Sequence, residues 1–259
     1  MADKKIMILI IAFKAQETIR EVLHRISKEM WDKAVEVLVI DDASANPDKT
    51  FEIALDYKKK NNLGKLSVQK NTYNKGYGGN QKIGFNYAIS KGYDIVAVLH
   101  GDGQYPPEYL IELVEPLESD NFQMIFGSRI RGKALMGGMP IWKYIGNRFL
   151  TFIENLFLGL SLSEYHSGFR AYSCEALQII NLKLTDDGFV FDTDIIIQYK
   201  ENNLKIGEIV IPTQYDERSH VIHFNLAVIV GFGILKSVFF HFISKNISRI
   251  KREKLSKIF

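Results

Sequence analysis

Four short apolar runs, each followed by polar or turn residues and then by a segment of helical character, limit what this chain can fold into. They are Ile6 to Phe13, Val35 to Ile40, Leu66 to Gln69 and Ile95 to Leu99, and a fifth run follows at Met124 to Phe126. Runs of this length, apolar throughout, suit strands buried on both faces. Their alternation with helices is the pattern of right-handed β-α-β units and a mostly parallel sheet. The chain therefore reads as α/β, with a Rossmann-like sheet flanked by helices. The rhythm stops near Ser219, which divides the sequence into a main domain at 1–219 and a C-terminal helical tail at 220–259. Within the main domain, Pro140 can start a helix running through Leu158 with an apolar face to bury, and Lys205 to Ile211 reads as a late strand closed by Pro212.

Composition narrows the classes further. With 259 residues, 46% of them apolar, the chain can fill a real core without staples. The single cysteine, Cys174, excludes an intramolecular disulfide framework and reads as a small buried hydrophobe. A net charge of +3 is too small to argue for a nucleic-acid partner. Nothing at the N-terminus has the form of a secretory signal, so the expected location is cytoplasmic. In the tail, the apolar stretch Leu226 to Ile243 is interrupted by Lys236, Ser237 and His241. It falls at the lower limit of the roughly 17–25 residues that span a bilayer, and it is not read as transmembrane. Its phenylalanines, followed by Lys245, Arg249, Lys251, Arg252, Lys254 and Lys257, compose an interfacial helix for an anionic membrane. Packing on the domain or on a second copy in a homo-oligomer is the alternative.

The most informative motif follows the fourth run: His100-Gly101-Asp102-Gly103-Gln104. A strand there delivers Asp102 and Gln104 to the carboxyl edge of a parallel sheet, where open α/β folds bind ligands. A hard divalent cation shares itself between one or two carboxylates and substrate phosphates, so the motif predicts a nucleotide-phosphate site. Asp41-Asp42-Ala43-Ser44 follows the second run; its acids can accept hydrogen bonds from a base or ribose, or serve as turn and cap residues. Asn74-Lys75-Gly76-Tyr77-Gly78-Gly79 is a glycine-rich turn opening a helix, either a phosphate cradle or a plain loop. Gly127-Ser128-Arg129, with Arg131 and Lys133, places cations after a strand. His166-Ser167-Gly168-Phe169-Arg170 fits no generic template, and His166 reads as a structural histidine. Asp192 and Asp194 open a late helix, as dipole-capping acids or with one as a general base.

Taken in order, these segments resemble family 2 glycosyltransferases, in particular the dolichol-phosphate mannose and glucose synthases, over roughly Ile6 to His220. The resemblance implies a GT-A fold and an inverting transferase that uses a nucleotide-diphosphate sugar with Mg²⁺ or Mn²⁺. By position, Ala12, Phe13, Asp41, Asp42, Lys75, Gly76 and Asp102 would form the nucleotide site, and Asp102, Gln104 and His100 would hold the metal. Asp102, Arg129 and Asp194 would be catalytic. Arg131, Arg148, Ser167, Arg170, Arg218 and Ser219 would close the acceptor site. The sequence departs from the family's Asp-x-Asp in having His100 at the first position; histidine ligates Mn²⁺ but suits Mg²⁺ poorly.

The implied chemistry is a single displacement at the anomeric carbon. A polyprenyl phosphate acceptor is already anionic and needs no base, whereas a sugar hydroxyl would need Asp194 or Asp192. The expected protein is a metal-dependent hexosyltransferase, peripheral on the inner face of the membrane, serving a polyprenyl phosphate. The alternatives are a transferase acting on a surface-glycan hydroxyl and a non-catalytic sugar-nucleotide scaffold.

Overall fold

In the computed structural model, residues 3–213, 215 and 223–255 are described, with side chains described as far as residue 244. Seven strands form one sheet: β1 (Ile6–Ala12), β2 (Ala34–Asp41), β3 (Leu66–Lys70), β4 (Ile95–His100), β5 (Met124–Ser128), β6 (Arg170–Ser173) and β7 (Ile206–Val210). The helices in chain order are α1 (Ile19–Arg25), α2 (Lys28–Lys33), α3 (Thr50–Lys60), α4 (Tyr77–Lys91), α5 (Leu110–Glu118), α6 (Ile141–Leu158), α7 (Cys174–Ile179), α8 (Phe191–Glu201) and α9 (Phe224–Leu255).

The strand order is β3-β2-β1-β4-β6-β5-β7, with β6 antiparallel to both neighbours and every other pairing parallel. β1 and β4 are adjacent, while the strands on their two sides lead in opposite directions along the sheet. Their carboxyl ends therefore part and leave the crevice in which doubly wound sheets bind ligands. All seven β1 residues are buried. Ile6, Ile8 and Ile10 enter the core shared with α1 and α5, and Met7, Leu9 and Ile11 the core shared with α4 and α8. Burial on both faces explains why the strand runs read as continuously apolar.

Two elements depart from expectation. β6 has no apolar run: it begins at Arg170, which is fully buried, and the pairing of β4 with β6 is what turns a parallel sheet into a mixed one. The second departure corrects the reading of α6. Its apolar stripe of Ile141, Ile145, Phe149, Phe152 and Leu156 is exposed, at 57–70% of full accessibility, while Asn147, Thr151 and Glu154 are at most 6% exposed. Buried polar partners hold this helix inward, and its apolar face is left outside. α9 packs on α6 and α8 through Ile234 and Val238, and its 21-residue stretch Phe224–Ser244, whose most apolar window has a mean hydropathy of 2.1, is long and apolar enough by those measures to cross a membrane.

Candidate active site

The crevice at the carboxyl ends of β1 and β4 is a cavity of about 690 Å³. Turn geometry positions its floor. Gly101 N–H donates to Ile11 O at 2.9 Å and Asp42 N–H to Ala12 O at 2.8 Å, so the residues just past β4 and β2 are tied to the end of β1. Asp42 then accepts from Lys75 N (2.8 Å), Gly76 N (3.0 Å) and Asn71 Nδ2 (2.8 Å), which fixes the glycine-rich turn against it. Gly76 has φ +80°, and a Cβ there would stand 2.5 Å from Asp187 O, so the turn admits only glycine.

Asp102 and Gln104 both face the cavity, and Gln104 N–H donates to Asp102 Oδ1 at 3.1 Å. Among the described residues, no cluster of three metal-ligating side chains exists. A carboxylate beside a roomy cavity is nonetheless the donor set a hard cation uses when substrate phosphates complete its shell, and the residues fit that arrangement. His100 stands next to it, edge-on to the rings of Tyr77 and Tyr105. Its Nε2 is buried without a hydrogen-bond partner among the described residues, and burial holds the ring's pKa below the ordinary histidine value. A Cβ on Gly168 would lie 2.4 Å from both His100 Nε2 and Tyr77 Oη, so only glycine lets these two polar atoms converge.

Tyr77 donates its hydroxyl to Asp192, at 3.1 and 3.2 Å from the two carboxylate oxygens. Desolvation raises the pKa of Asp192 against the opposing charge of Arg170, 3.5 Å away. Across the cavity, Arg129 and Glu164 form a buried ion pair. Glu164 accepts from Arg129 N (2.9 Å), Arg129 Nε (2.8 Å), Arg129 Nη2 and Asn147 Nδ2 (2.9 Å). Burial alone would raise the Glu164 pKa; the charge of Arg129 and these donors reverse that and hold it low. Arg129 also donates to His166 O (2.7 Å) and Tyr215 Oη (3.2 Å), which uses four of its five N–H groups. Lys143, on the first turn of α6, lines the same wall over the Tyr215 ring; burial, reinforced by Arg129, lowers its pKa to about 8.

Residues 7–180 match the sequence model of glycosyl transferase family 2. The chain belongs to that family. Among its relatives is a UDP-N-acetylglucosamine–dolichyl-phosphate N-acetylglucosaminyltransferase of Methanococcus voltae, 31% identical over 244 residues covering 90% of this chain and 94% of the relative. An undecaprenyl-phosphate mannosyltransferase of Micrococcus luteus is 29% identical over 71% of this chain and 72% of its own length. Among solved structures, glucosyl-3-phosphoglycerate synthase from Mycobacterium tuberculosis, in complex with Mn²⁺, UDP-glucose and phosphoglyceric acid, superposes with a TM-score of 0.70 over 93% of this chain and 80% of that one. At 18% identity this likeness concerns the fold.

The glycosyltransferase brings only some of the expected residues together. Ala12, Phe13, Asp42, Gly76, His100, Asp102, Gln104 and Arg129 line the cavity. Asp41 is fully buried behind Asp42, where it accepts from Ser44 Oγ (2.5 Å) and lies 3.5 Å from Lys70. Lys75 turns its ammonium to the Tyr73 ring. Arg170 does not reach the cavity. It is consumed by Ser167 O (2.6 Å), Tyr165 O (2.5 Å) and Asp192 O (3.1 Å), and so fixes the loop that carries Gly168. Ser167 is wholly buried and its hydroxyl has no hydrogen-bond partner among the described residues. Arg131 pairs with Glu208 at 3.5 Å and Arg148 donates to Ser163 O, both off the cavity wall. Asp194 turns away as well, accepting from Asp186 N (2.8 Å) and from the Ser237 hydroxyl of α9; the acid on the cavity wall is Asp192. Arg218, Ser219 and the basic residues from Lys245 onward lie outside the described residues or side chains.

Sequence reasoning missed Lys143, Asn147 and the cavity-lining role of His166. The one signal that pointed to them was the polar stripe Asn147, Thr151 and Glu154 at helical spacing, opposite the apolar stripe of α6. Missed too was the cavity's roof, where Trp142, Phe149 and Leu150 of α6 face Phe224, Val228 and Phe232 of α9.

Proposed function

We propose that this family 2 glycosyltransferase moves a sugar from a nucleoside-diphosphate sugar to a polyprenyl phosphate at a membrane surface, with inversion at the anomeric carbon. The observation that carries this reading is the two-sided cavity. Its floor presents Asp42, Asp102, Asp192, Arg129 and Lys143, and its roof is hydrocarbon from α6 and α9. A phosphate joined to an isoprenoid chain matches both surfaces at once; a glycan hydroxyl would leave the apolar roof without a partner. The activities of the relatives from Methanococcus voltae and Micrococcus luteus support the same acceptor class.

Asp102, with Gln104 and His100 beside it, would hold a divalent cation. When bound, that cation would neutralise charge on the departing nucleoside diphosphate. Asp42 and the turn it fixes would seat the nucleoside, and Lys143 and Arg129 would receive the acceptor phosphate. That phosphate oxygen is anionic and attacks without a general base, so no carboxylate need abstract a proton. The side chains' task is orientation and charge compensation.

The exposed stripe of α6 and the apolar surface of α9 lie on packed neighbouring helices that also form the cavity roof. Laid on a bilayer, they would open the cavity toward lipid without requiring α9 to cross it. A cytoplasmic location on the inner face follows from this reading. The test is transfer of labelled sugar from a panel of UDP- and GDP-sugars, with Mg²⁺ or Mn²⁺, to a short polyprenyl phosphate. Transfer only to glycan hydroxyls, or nucleotide binding without turnover, would refute the proposal.

A further inference from the structure

His166 and Glu154 have no part in the chemistry above, yet His166 lines the cavity and Glu154 is buried behind it. Glu154 projects from the inward face of α6 and is fully buried. Its Oε1 accepts the Thr193 hydroxyl at 2.6 Å, and its Oε2 lies 3.0 Å from His166 Nε2. Neither Oε2 nor Nε2 has an aligned hydrogen bond, so the contact is an ion pair rather than a straight N–H···O bond. Among the described residues, no lysine or arginine pairs with Glu154; the imidazole is the cation set against this buried carboxylate. A buried carboxylate without a counter-charge is strongly disfavoured, so the pair favours the protonated ring. With Nε2 facing Glu154, the ring lines the cavity while its Nδ1 makes no hydrogen bond to the described residues.

The main chain fixes this placement. His166 O receives Arg129 Nη2, and the next two residues are held by Arg170 and by Tyr105, whose hydroxyl accepts Gly168 N–H at 2.9 Å. The ring thus sits on the wall that carries Arg129 and Lys143, below the apolar roof. We infer that His166, held by Glu154, is an acceptor-binding residue that donates its Nδ1–H to the phosphate of the lipid acceptor. The inference rests on the polyprenyl phosphate reading and adds a specificity-determining group to it.

The charges around the ring agree with a proton kept on it. Burial by itself would lower the ring's pKa, but Glu154 from α6, Glu164 from the loop before β6 and Asp192 from α8 outweigh burial and raise it. The Arg129 guanidinium, whose Nη2 donates to His166 O at 2.7 Å, is the cation beside them. The acceptor's own second phosphate proton leaves near pH 6, so the alkaline side of acceptor binding follows the protons on His166 and on Lys143, of which the His166 proton is the one that Glu154 holds.

The experiment measures transfer to a short polyprenyl phosphate by the full chain with Mn²⁺ and whichever UDP- or GDP-sugar it consumes, comparing His166→Gln and Glu154→Gln with the wild type. A lost charge-assisted hydrogen bond raises the acceptor KM about tenfold to a hundredfold, while the donor KM moves by less than about threefold. Glu154→Gln keeps an acceptor for Thr193 and removes the charge, so it shifts the alkaline fall in acceptor kcat/KM to lower pH. It also decides the matter if His166→Gln does not fold. Wild-type transfer with an unchanged acceptor KM in the folded variants overturns this inference alone. A wild type that gives no transfer to any polyprenyl phosphate overturns the functional proposal as well, so the two failures are distinguishable.

Discussion

Glu164→Gln is expected to damage this protein more than any comparable isosteric change. Glu164 is fully buried and satisfies three donors of Arg129 together with Asn147. Glutamine keeps the shape but turns one acceptor oxygen into a donor, so whichever oxygen is replaced an Arg129 N–H meets an N–H group, and the Arg129 guanidinium loses its counter-charge. Removing one partner of a buried ion pair costs about 3–5 kcal/mol. For a chain of this size the melting temperature would fall by about 6–20 °C. The assay is thermal or urea unfolding of the full chain. Its pH dependence provides a second reading. The Glu164 pKa is depressed in the folded state, so its stabilisation is present above the unfolded carboxylate range and is lost as pH falls through the folded value. The gap between wild type and Glu164→Gln must therefore close in acid. A loss below about 1 kcal/mol, or unfolding curves that stay parallel down to about pH 3, would refute the argued role of the pair.

Further outcomes follow from the cavity. Asp102→Asn should abolish transfer and remove the part of donor binding that depends on Mn²⁺, read by thermal shift with and without the ion; equal shifts in wild type and variant would exclude Asp102 as a ligand. Asp192→Asn removes the charge that accepts from Tyr77 and offsets Arg170 at the cavity wall and should reduce transfer by about tenfold or more through lost orientation, whereas Asp194→Asn, whose carboxylate faces α9, should keep most of it; the reverse ranking in a kcat comparison would refute that positioning role. Replacing Phe149, Phe152 and Leu156 together by serine should leave the melting temperature within a few degrees, because those side chains are already exposed, yet release the protein from lipid vesicles in sedimentation. Unchanged co-sedimentation would show that α6 does not meet the membrane.

The central strands β1 and β4, and β2 from Val37 onward, were legible because they are buried on both faces and therefore almost continuously apolar. The position of Asp102 was legible with them, since a residue just past a buried strand has one place to go. β6 was not, because its burial is paid for by hydrogen bonds from Arg170 rather than by apolar side chains. A single sequence carries no periodic trace of such bonds. The same reason hid the site's far wall. His166, Glu154, Lys143 and Asn147 come from the loop before β6 and from α6, segments far apart along the chain from the motif at His100 to Gln104, and only packing makes them neighbours.

The sequence by itself determined the α/β class, the strand runs around the crevice and the acid at its edge, since those depend on local apolar pattern and on turn chemistry. Tertiary structure alone decided which way α6 turns, which of Asp192 and Asp194 meets the cavity, and that α9 roofs it. The hydrophobic pattern of α6 would bury its phenylalanines. Buried charges, the Arg129–Glu164 pair outside that helix and His166 set against the helix's own Glu154, hold its polar face inward instead, because a partly solvated hydrocarbon stripe costs less than an unpaired buried carboxylate.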